Sequence, residues 1–158
     1  MRILALDPGT EQTAFVVWDG CVIEAEILPN CLMIERIMLN SFGACDLMAY
    51  EMIASYGMPV GREVFETCVW IGRFVERTKL PTLRVYRKDA KLHLTGSQKA
   101  KDANVRMALM DLFGGKAKAM GNKKSPGPLY GIKSHLWAAM AVAIYAQETA
   151  GKEQEQAK

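Results

Sequence analysis

The sequence lacks the patterns that mark membrane-spanning, repeat and disulfide-stapled proteins. None of its apolar runs reaches the roughly 18 residues that a membrane span needs, and no segment of the 158 residues repeats. Because Met1 and Arg2 lead directly into an apolar run, we expect no signal peptide and, by default, a cytoplasmic location. The four cysteines contain no Cys-x-x-Cys pair, and we expect them to be reduced core residues: Cys21, Cys31, Cys45 and Cys68.

Acidic residues are absent from one long stretch, residues 116–133, although the formal net charge of the whole chain is only +3. Five lysines lie there among glycines and prolines, a composition that indicates a mobile cationic loop: Lys116, Lys118, Lys123, Lys124 and Lys133. Lysines without acids favour binding to nucleic acid, with a solvated linker as the alternative. Two shorter basic patches lie at 87–91 and 99–101.

The overall composition is that of an ordinary globular protein, with 50% hydrophobic and 23% charged residues. A chain of this length can bury about two-thirds of its unfolded surface in one core. We therefore expect a single domain over residues 1–150 and a polar, disordered tail over residues 151–158.

Asp7 stands at the end of an apolar run, Ile3 to Leu6, that reads as a buried strand and is followed by a Pro8-Gly9 turn. An ionised carboxylate costs several kcal/mol to bury unless it is paired or binds a metal. The position therefore indicates a cation partner. The alternative is that Asp7 caps the turn through the local backbone, as Asp often does.

Hydrophobic periodicity predicts an α/β fold. Strands are predicted at 3–6, 13–18, 21–28, 45–52 and 81–86, and helices at 31–42, 63–78, 99–113 and 134–146. The first three strands form an antiparallel meander, and a strand reached through a helical crossover should lie parallel to the first. Asp7 and Glu51 then emerge at the same carboxyl edge, where open α/β sheets place their sites.

Four ordered blocks of residues resemble the RNase H-like fold and, within it, the RuvC family of Holliday junction resolvases. The blocks are Leu6 to Thr10, Ala49 to Glu51, Lys91 with Gly96 and the helix start from Lys99 to Val105, and His135 to Ala143. The resemblance runs from Met1 to about Ala146. It implies an α/β fold with a five-stranded mixed sheet, three antiparallel strands and then parallel strands, flanked by helices.

The resemblance implies a homodimeric endonuclease that cleaves four-way DNA junctions symmetrically with two Mg²⁺ ions, for which Mn²⁺ can substitute. Such ions activate a water and stabilise the leaving oxygen, so they need hard oxygen ligands. In this family pattern Asp7 would bridge the ions, Glu51 would hold the second ion, and His135 matches the first of two further ligands on the last helix. A catalytically inactive junction-binding protein of the same fold is the alternative.

Ala138 occupies the position at which the second of those further ligands is usually Asp. Asp102 is a candidate for the missing oxygen; alternatively, it is an exposed acid stabilised by the helix dipole. The site could also use more water, which Mg²⁺ tolerates, or the chain could have lost catalysis.

The other implied site residues are cations and one aromatic side chain. Lys91 matches a family lysine near the scissile phosphate, where a cation offsets developing charge; for Lys91 and for His135 a plain surface role is the alternative. The family's junction wedge matches Ala54, so a wedge would shift to Tyr56 or Met58, in a loop that could instead pack as a lid. Helix 63–78 is the expected dimer interface. The expected DNA contacts are Lys88, Lys91, Lys99, Lys101, Lys116, Lys118, Lys123, Lys124, Lys133 and Tyr56.

Overall fold

Five strands form one mixed sheet in the computed structural model, which describes the backbone of residues 1–156 and the side chains of residues 1–150. The strands β1 (Ile3–Pro8), β2 (Gln12–Trp18) and β3 (Val22–Pro29) are antiparallel neighbours. The strands β4 (Leu47–Met52) and β5 (Thr82–Tyr86) continue the sheet parallel to β1. The order β3-β2-β1-β4-β5 confirms the predicted sheet.

Helices cover both faces of this sheet. The helices α1 (Asn30–Met38) and α2 (Arg62–Arg77) pack on one face. The helices α3 (Arg87–Thr95), α4 (Asp102–Leu112) and the short α5 (Lys116–Met120) belong to the other side. A small hairpin, β6 (Gly121–Asn122) and β7 (Ser125–Pro126), follows α5, and the last helix, α6 (Leu136–Gln156), packs on β1, β2 and β4.

Side chains of β1 alternate between two cores. Ile3 and Ala5 join the core beneath α6, whereas Leu4 and Leu6 join the core beneath α1 and α2. Because both faces are covered, the strand reads as a continuous apolar run rather than as an alternating one. The core beneath α6 is rich in alanine, so the helix can lie close to the sheet: Ala5, Ala14, Ala49, Ala139, Ala143 and Ala146.

One predicted helix ends earlier than expected, and the helix α3 was not predicted. Helix α1 ends at Met38 rather than near 42, and Asn40 has a positive φ of 49°. Phe42 is nevertheless buried and stacks edge-on against Phe15, which explains why its spacing suggested a longer helix. Helix α3 was not expected, because its sequence is polar and only Ala90 in it is fully buried. Packing against α4 and α6, rather than an apolar stripe of its own, stabilises it.

The lysine-rich segment, residues 116–133, consists of the short α5, the β6–β7 hairpin and turns, and is not the loop that its composition predicts. Ala119, Leu129 and Ile132 are buried and anchor it to the core. The side-chain oxygen of Asn122 accepts hydrogen bonds from the backbone N–H groups of Lys124 and Ser125, at 2.9 and 3.0 Å. Such an Asx turn gives a local backbone order that residue counts do not reveal.

Two further expectations concern the cysteines and the chain end. Cys45 is buried and Cys68 is partly buried, but Cys21 and Cys31 are exposed, contrary to prediction. Helix α6 continues to Gln156, through most of the segment predicted as a disordered tail, and residues 157 and 158 lie outside the described residues. Within the described part of the chain, no helix is long and apolar enough to cross a membrane.

Candidate active site

Asp7 and Glu51 meet at one edge of the sheet. Leu6 pairs with Tyr50 in the parallel ladder of β1 and β4, so the next residue of each strand carries a carboxylate. Both side chains line a cleft of about 250 Å³, together with residues of α3, α4 and α6. The structure thus brings the two acids together as the strand order predicts.

A buried polar clamp holds the turn that follows Asp7. Asn30 donates its side-chain amide to the carbonyl of Gly9 at 2.9 Å, and its side-chain oxygen accepts the Thr13 hydroxyl at 2.7 Å. A Cβ at Gly9 would lie only 2.8 Å from the carbonyl oxygen of Gln12, so this close turn requires glycine. The clamp fixes the direction in which β1 delivers Asp7.

Burial makes both carboxylates costly to ionise. The side chains of Asp7 and Glu51 keep only 16% and 12% of their exposure. Burial, reinforced by the negative charge of Glu51, raises the pKa of Asp7 to about 7. Burial also raises the pKa of Glu51, although the Arg87 guanidinium opposes the shift. Two neighbouring buried acids whose pKa values stay raised despite the nearby Arg87 are typical of a cation-binding site.

A chain of ion pairs runs from Glu51 to Lys91. Arg87 contacts Glu51 Oε1 through Nη1 at 3.3 Å and Asp102 Oδ2 through Nη2 at 3.0 Å. Lys91 Nζ lies 3.1 Å from Asp102 Oδ1 and donates to the carbonyl of Ala100 at 2.8 Å. Burial raises the pKa of Asp102, but the hydrogen bonds from Arg87 and Lys91 outweigh it and leave that pKa below its usual range.

His135 and Ala138, near the start of the last helix, both line the cleft, but of these two only His135 has an atom that could bind a metal. His135, which immediately precedes α6, has Nδ1 at 3.9 Å from Asp7 Oδ2, and its side chain is 76% exposed. Ala138 lines the same cleft and contributes no ligand atom. The cleft therefore has two acids on the side formed by β1 and β4 and few ligand atoms on the side formed by α6.

The donor set fits one hard divalent cation better than a complete two-ion site. The carboxylate oxygens of Asp7 and Glu51 are ligands of the kind that Mg²⁺ prefers. Arg87 lies between Glu51 and the third acid, Asp102. Accordingly, no three His, Cys, Asp or Glu side chains are grouped as a metal site in the part of the chain that the structure describes.

Known structures share this architecture, although the sequence itself matches no family model and no curated protein. A structure of Thermus thermophilus RuvC has a TM-score of 0.60 at 18% identity, covering 94% of this chain and 97% of that one. T. thermophilus RuvC in complex with a Holliday junction substrate has a TM-score of 0.62 at 16% identity, covering 94% and 96%. The chain has a RuvC-like fold.

Within this RuvC-like fold, Lys91 lines the cleft, and three more of the lysines predicted to contact DNA lie close to cleft residues in the chain. Lys99 and Lys101 flank Ala100, whose carbonyl accepts the hydrogen bond from Lys91. Lys133 directly precedes Ser134, which lines the cleft. Each of these three lysines is thus close in the chain to a residue at the cleft, although none of them lines it among the described residues.

Tyr56 and Lys88 contact each other near the start of α3, although neither of them lines the cleft. Lys88 Nζ lies 3.4 Å from the centroid of the Tyr56 ring, a cation–π contact. Lys88 follows Arg87, so this contact ties the loop after β4 to the start of α3 beside Glu51. Tyr56 has a positive φ of 49° and an exposed ring, and Met58 on the same loop is exposed as well.

The remaining predicted lysines lie at the far end of α4. Phe113, just after α4, stacks edge-on against Trp18, which pairs with Ile3 at the start of β1. The carbonyl of Pro128 accepts the backbone N–H of Val22, at 3.1 Å, at the start of β3. This is the end of the sheet opposite Asp7, and a helix of 11 residues, the length of α4, spans about 17 Å. The lysines concerned are Lys116, Lys118, Lys123 and Lys124, and among the described residues none of them lines the cleft.

Arg87 contacts Glu51 in the cleft and was missed by sequence reasoning, although a signal for it exists. Strand β5 lies parallel to β4 and ends at Tyr86, so the next residue emerges at the same edge as Glu51. The rule that locates Asp7 and Glu51 therefore also locates Arg87. Arg106, Ser134 and Trp137 line the cleft too; Arg106 lies four residues after Asp102, on the same face of α4.

Proposed function

We propose that the protein is a metal-dependent endonuclease that resolves Holliday junctions and related branched DNA by symmetrical phosphodiester cleavage. The observation that carries this is the pair of buried carboxylates, Asp7 and Glu51, in one cleft with Lys91 at the carboxyl edge of the sheet. Divalent ions that hydrolyse phosphodiesters need such hard oxygen ligands. A RuvC with the same fold binds a Holliday junction substrate, which supports four-way DNA as the substrate class.

Each cleft residue has a role in this chemistry. Asp7 and Glu51 would hold Mg²⁺ or Mn²⁺, and His135 would be a further protein ligand in the cleft. Such ions activate a water and stabilise the leaving oxygen. Lys91 would offset negative charge on the scissile phosphate. Arg87, which now contacts Glu51, would share that carboxylate with the cation.

A junction-binding protein without catalysis is the second candidate. Ala138 favours it, because this position in the cleft has no ligand atom opposite the acid pair. Binding through lysines around the cleft and along α4 would not depend on the missing acid.

Cleavage of a labelled synthetic four-way junction, in Mg²⁺ and separately in Mn²⁺, distinguishes the two candidates. We expect symmetrical nicks in two opposing strands, produced even with excess linear duplex present. Tight junction binding without nicks in either ion would instead support the binding-only candidate. The variant Ala138→Asp would then show whether one added carboxylate restores cleavage.

The two groups of lysines suggest how a DNA arm lies on the protein. Lys99 and Lys101 are at the cleft end of α4, and Lys116, Lys118, Lys123 and Lys124 are at its other end. A duplex arm along α4 would contact both groups through its phosphates, which positions DNA without reading its sequence. Tyr56 or Met58, exposed beside the cleft, would be the wedge at the junction centre.

The double variant Lys123→Gln/Lys124→Gln tests this arm path. We expect about tenfold weaker junction binding and a salt slope smaller by about 2, because two phosphate contacts are lost. The rate of cleavage of bound junction should change little, because the hairpin lies far from the cleft. Fluorescence anisotropy over a series of salt concentrations and single-turnover cleavage measure the two effects. Lys79→Gln is the control, since Lys79 is exposed before β5, at the side of the sheet away from β3; an equal loss of affinity in this control would contradict the arm path.

A homodimer through α2 would match the two symmetric strands of a four-way junction. Phe65 and Val69, four residues apart on one face of α2, are 63% and 49% exposed. Trp70, in contrast, packs on Phe74.

We expect Phe65→Glu to convert a dimer into a monomer in sedimentation at micromolar protein. Met107→Glu, an equally drastic change at an exposed position of α4 on the opposite face of the sheet, should leave the dimer intact. A parent protein that is monomeric would contradict paired cleavage.

A further inference from the structure

Asp102 stands apart from the other two acids of the cleft because it is exposed and paired with cations. Its side chain is 58% exposed, whereas those of Asp7 and Glu51 are buried. We propose that Asp102 is a positioning residue, which orients Lys91 and Arg87 beside the acid pair, and that it does not bind the metal. The role assigned to Asp102 deepens the proposed function and depends on it for its effect on cleavage.

The two carboxylate oxygens of Asp102 are divided between two cations. Oδ1 lies 3.1 Å from Lys91 Nζ, and Oδ2 lies 3.0 Å from Arg87 Nη2. The other amino group of Arg87 reaches Glu51, so the guanidinium stands between the two acids. A ligand for a cation held by Asp7 and Glu51 would need an oxygen on the near side of Arg87. Both oxygens of Asp102 are instead engaged by Arg87 and Lys91, so the contacts of Asp102 suit orienting those cations.

Lys91 is the side chain that depends most on this arrangement. Its Nζ has two acceptors, the carboxylate of Asp102 and the carbonyl of Ala100, and both belong to the segment that begins α4. The lysine side chain is largely buried, yet its ammonium group is a flexible point charge that loses much rotamer freedom when it is fixed. Without the Asp102 carboxylate, one neutral carbonyl would have to hold it alone.

The position of Lys91 can be measured without any metal or DNA. In protein labelled with ¹⁵N-lysine, an ammonium group held by two acceptors exchanges slowly with water and gives an observable NMR signal, which Lys91→Arg assigns. We expect this signal in the parent and in Asp111→Asn, a matched change at the other end of α4, and we expect its loss in Asp102→Asn. A Lys91 signal that survives in Asp102→Asn, or that is absent from the parent, would overturn the positioning role.

Metal binding and cleavage separate positioning from ligation. We expect the Mn²⁺ affinity of Asp102→Asn, measured by calorimetry, to lie within about threefold of that of the parent. If Asp102 were a ligand, its loss would weaken Mn²⁺ binding as strongly as Asp7→Asn does. Where the parent cleaves junctions, Asp102→Asn should lower the single-turnover rate about tenfold with unchanged junction affinity. Asp102→Asn should lower the rate little further in a Lys91→Ala background, because Asp102 acts through Lys91. Fully additive losses, or Mn²⁺ binding lost as in Asp7→Asn, would overturn the role. A parent that cleaves nothing would contradict the proposed function, while the NMR and Mn²⁺ results would still judge Asp102.

Discussion

Replacement of Asp7 by asparagine should abolish junction cleavage and leave junction binding intact. We expect the single-turnover rate in Mg²⁺ to fall by about 10³-fold or more, because Asp7 would be a ligand of the ion that activates the water and stabilises the leaving oxygen. Asparagine has the shape of aspartate and no charge, so it removes the chemistry with little change in packing. Junction affinity, measured without divalent ions, should stay within about twofold, because the lysines that contact phosphate are unchanged.

The control for this experiment is an acid of the same type outside the cleft. Asp111→Asn removes the same charge from the exposed far end of α4 and should cleave at the parental rate. If Asp7→Asn cleaved as fast as the parent, the acid pair would not be the catalytic centre. Loss of junction affinity in Asp7→Asn alone would indicate that the carboxylate acts on DNA binding rather than on the chemical step.

The sheet could be predicted because each strand has a signal in its own residues. Ile3 to Leu6 is a short apolar run bounded by a turn, and the run before Glu51 is similar. Helix α3 could not be predicted, because its residues are mostly polar and its stability comes from contacts with α4 and α6. The hairpin around Lys123 was missed for a related reason: glycine and proline suit both a tight turn and a flexible linker.

The site residues also differ in whether the sequence can predict their positions. Asp7 and Glu51 follow the last pair of the β1–β4 ladder, and Arg87 follows the last pair of the β4–β5 ladder, so strand order is enough to bring them to one edge. The pairing of Asp102 with Arg87 depends on how α3 meets α4, which no local pattern records. Asn30 reads in the sequence as a simple break after β3, yet it clamps the Gly9 turn. A buried polar contact of this kind exists only once distant segments have packed.

Without divalent ions, the protein should lose stability as the pH rises from about 4 towards 7 and beyond. The pKa of Asp7 rises from its ordinary value of 3.8 to about 7 in the fold. Between these values the native state binds more protons than the unfolded state, so the free energy of unfolding falls as the pH rises. The stabilisation is complete below about pH 4, and the full loss is roughly 4 kcal/mol. Glu51, whose pKa burial also raises, acts in the same direction.

Asp7→Asn isolates this contribution from those of all other titrating groups. Its side chain resembles neutral aspartic acid, so the variant should match the parent near pH 4 and exceed its stability by up to roughly 4 kcal/mol near pH 8. Urea unfolding in the presence of a chelator, over this pH range, measures the difference, and Asp111→Asn should follow the parent. Mg²⁺ should stabilise the parent, by about 2.7 kcal/mol at 100 times its dissociation constant, and should affect Asp7→Asn much less. Parallel pH curves for the parent and Asp7→Asn would mean that the pKa of Asp7 is not raised in the native state. An equal response of both proteins to Mg²⁺ would mean that the ion binds elsewhere.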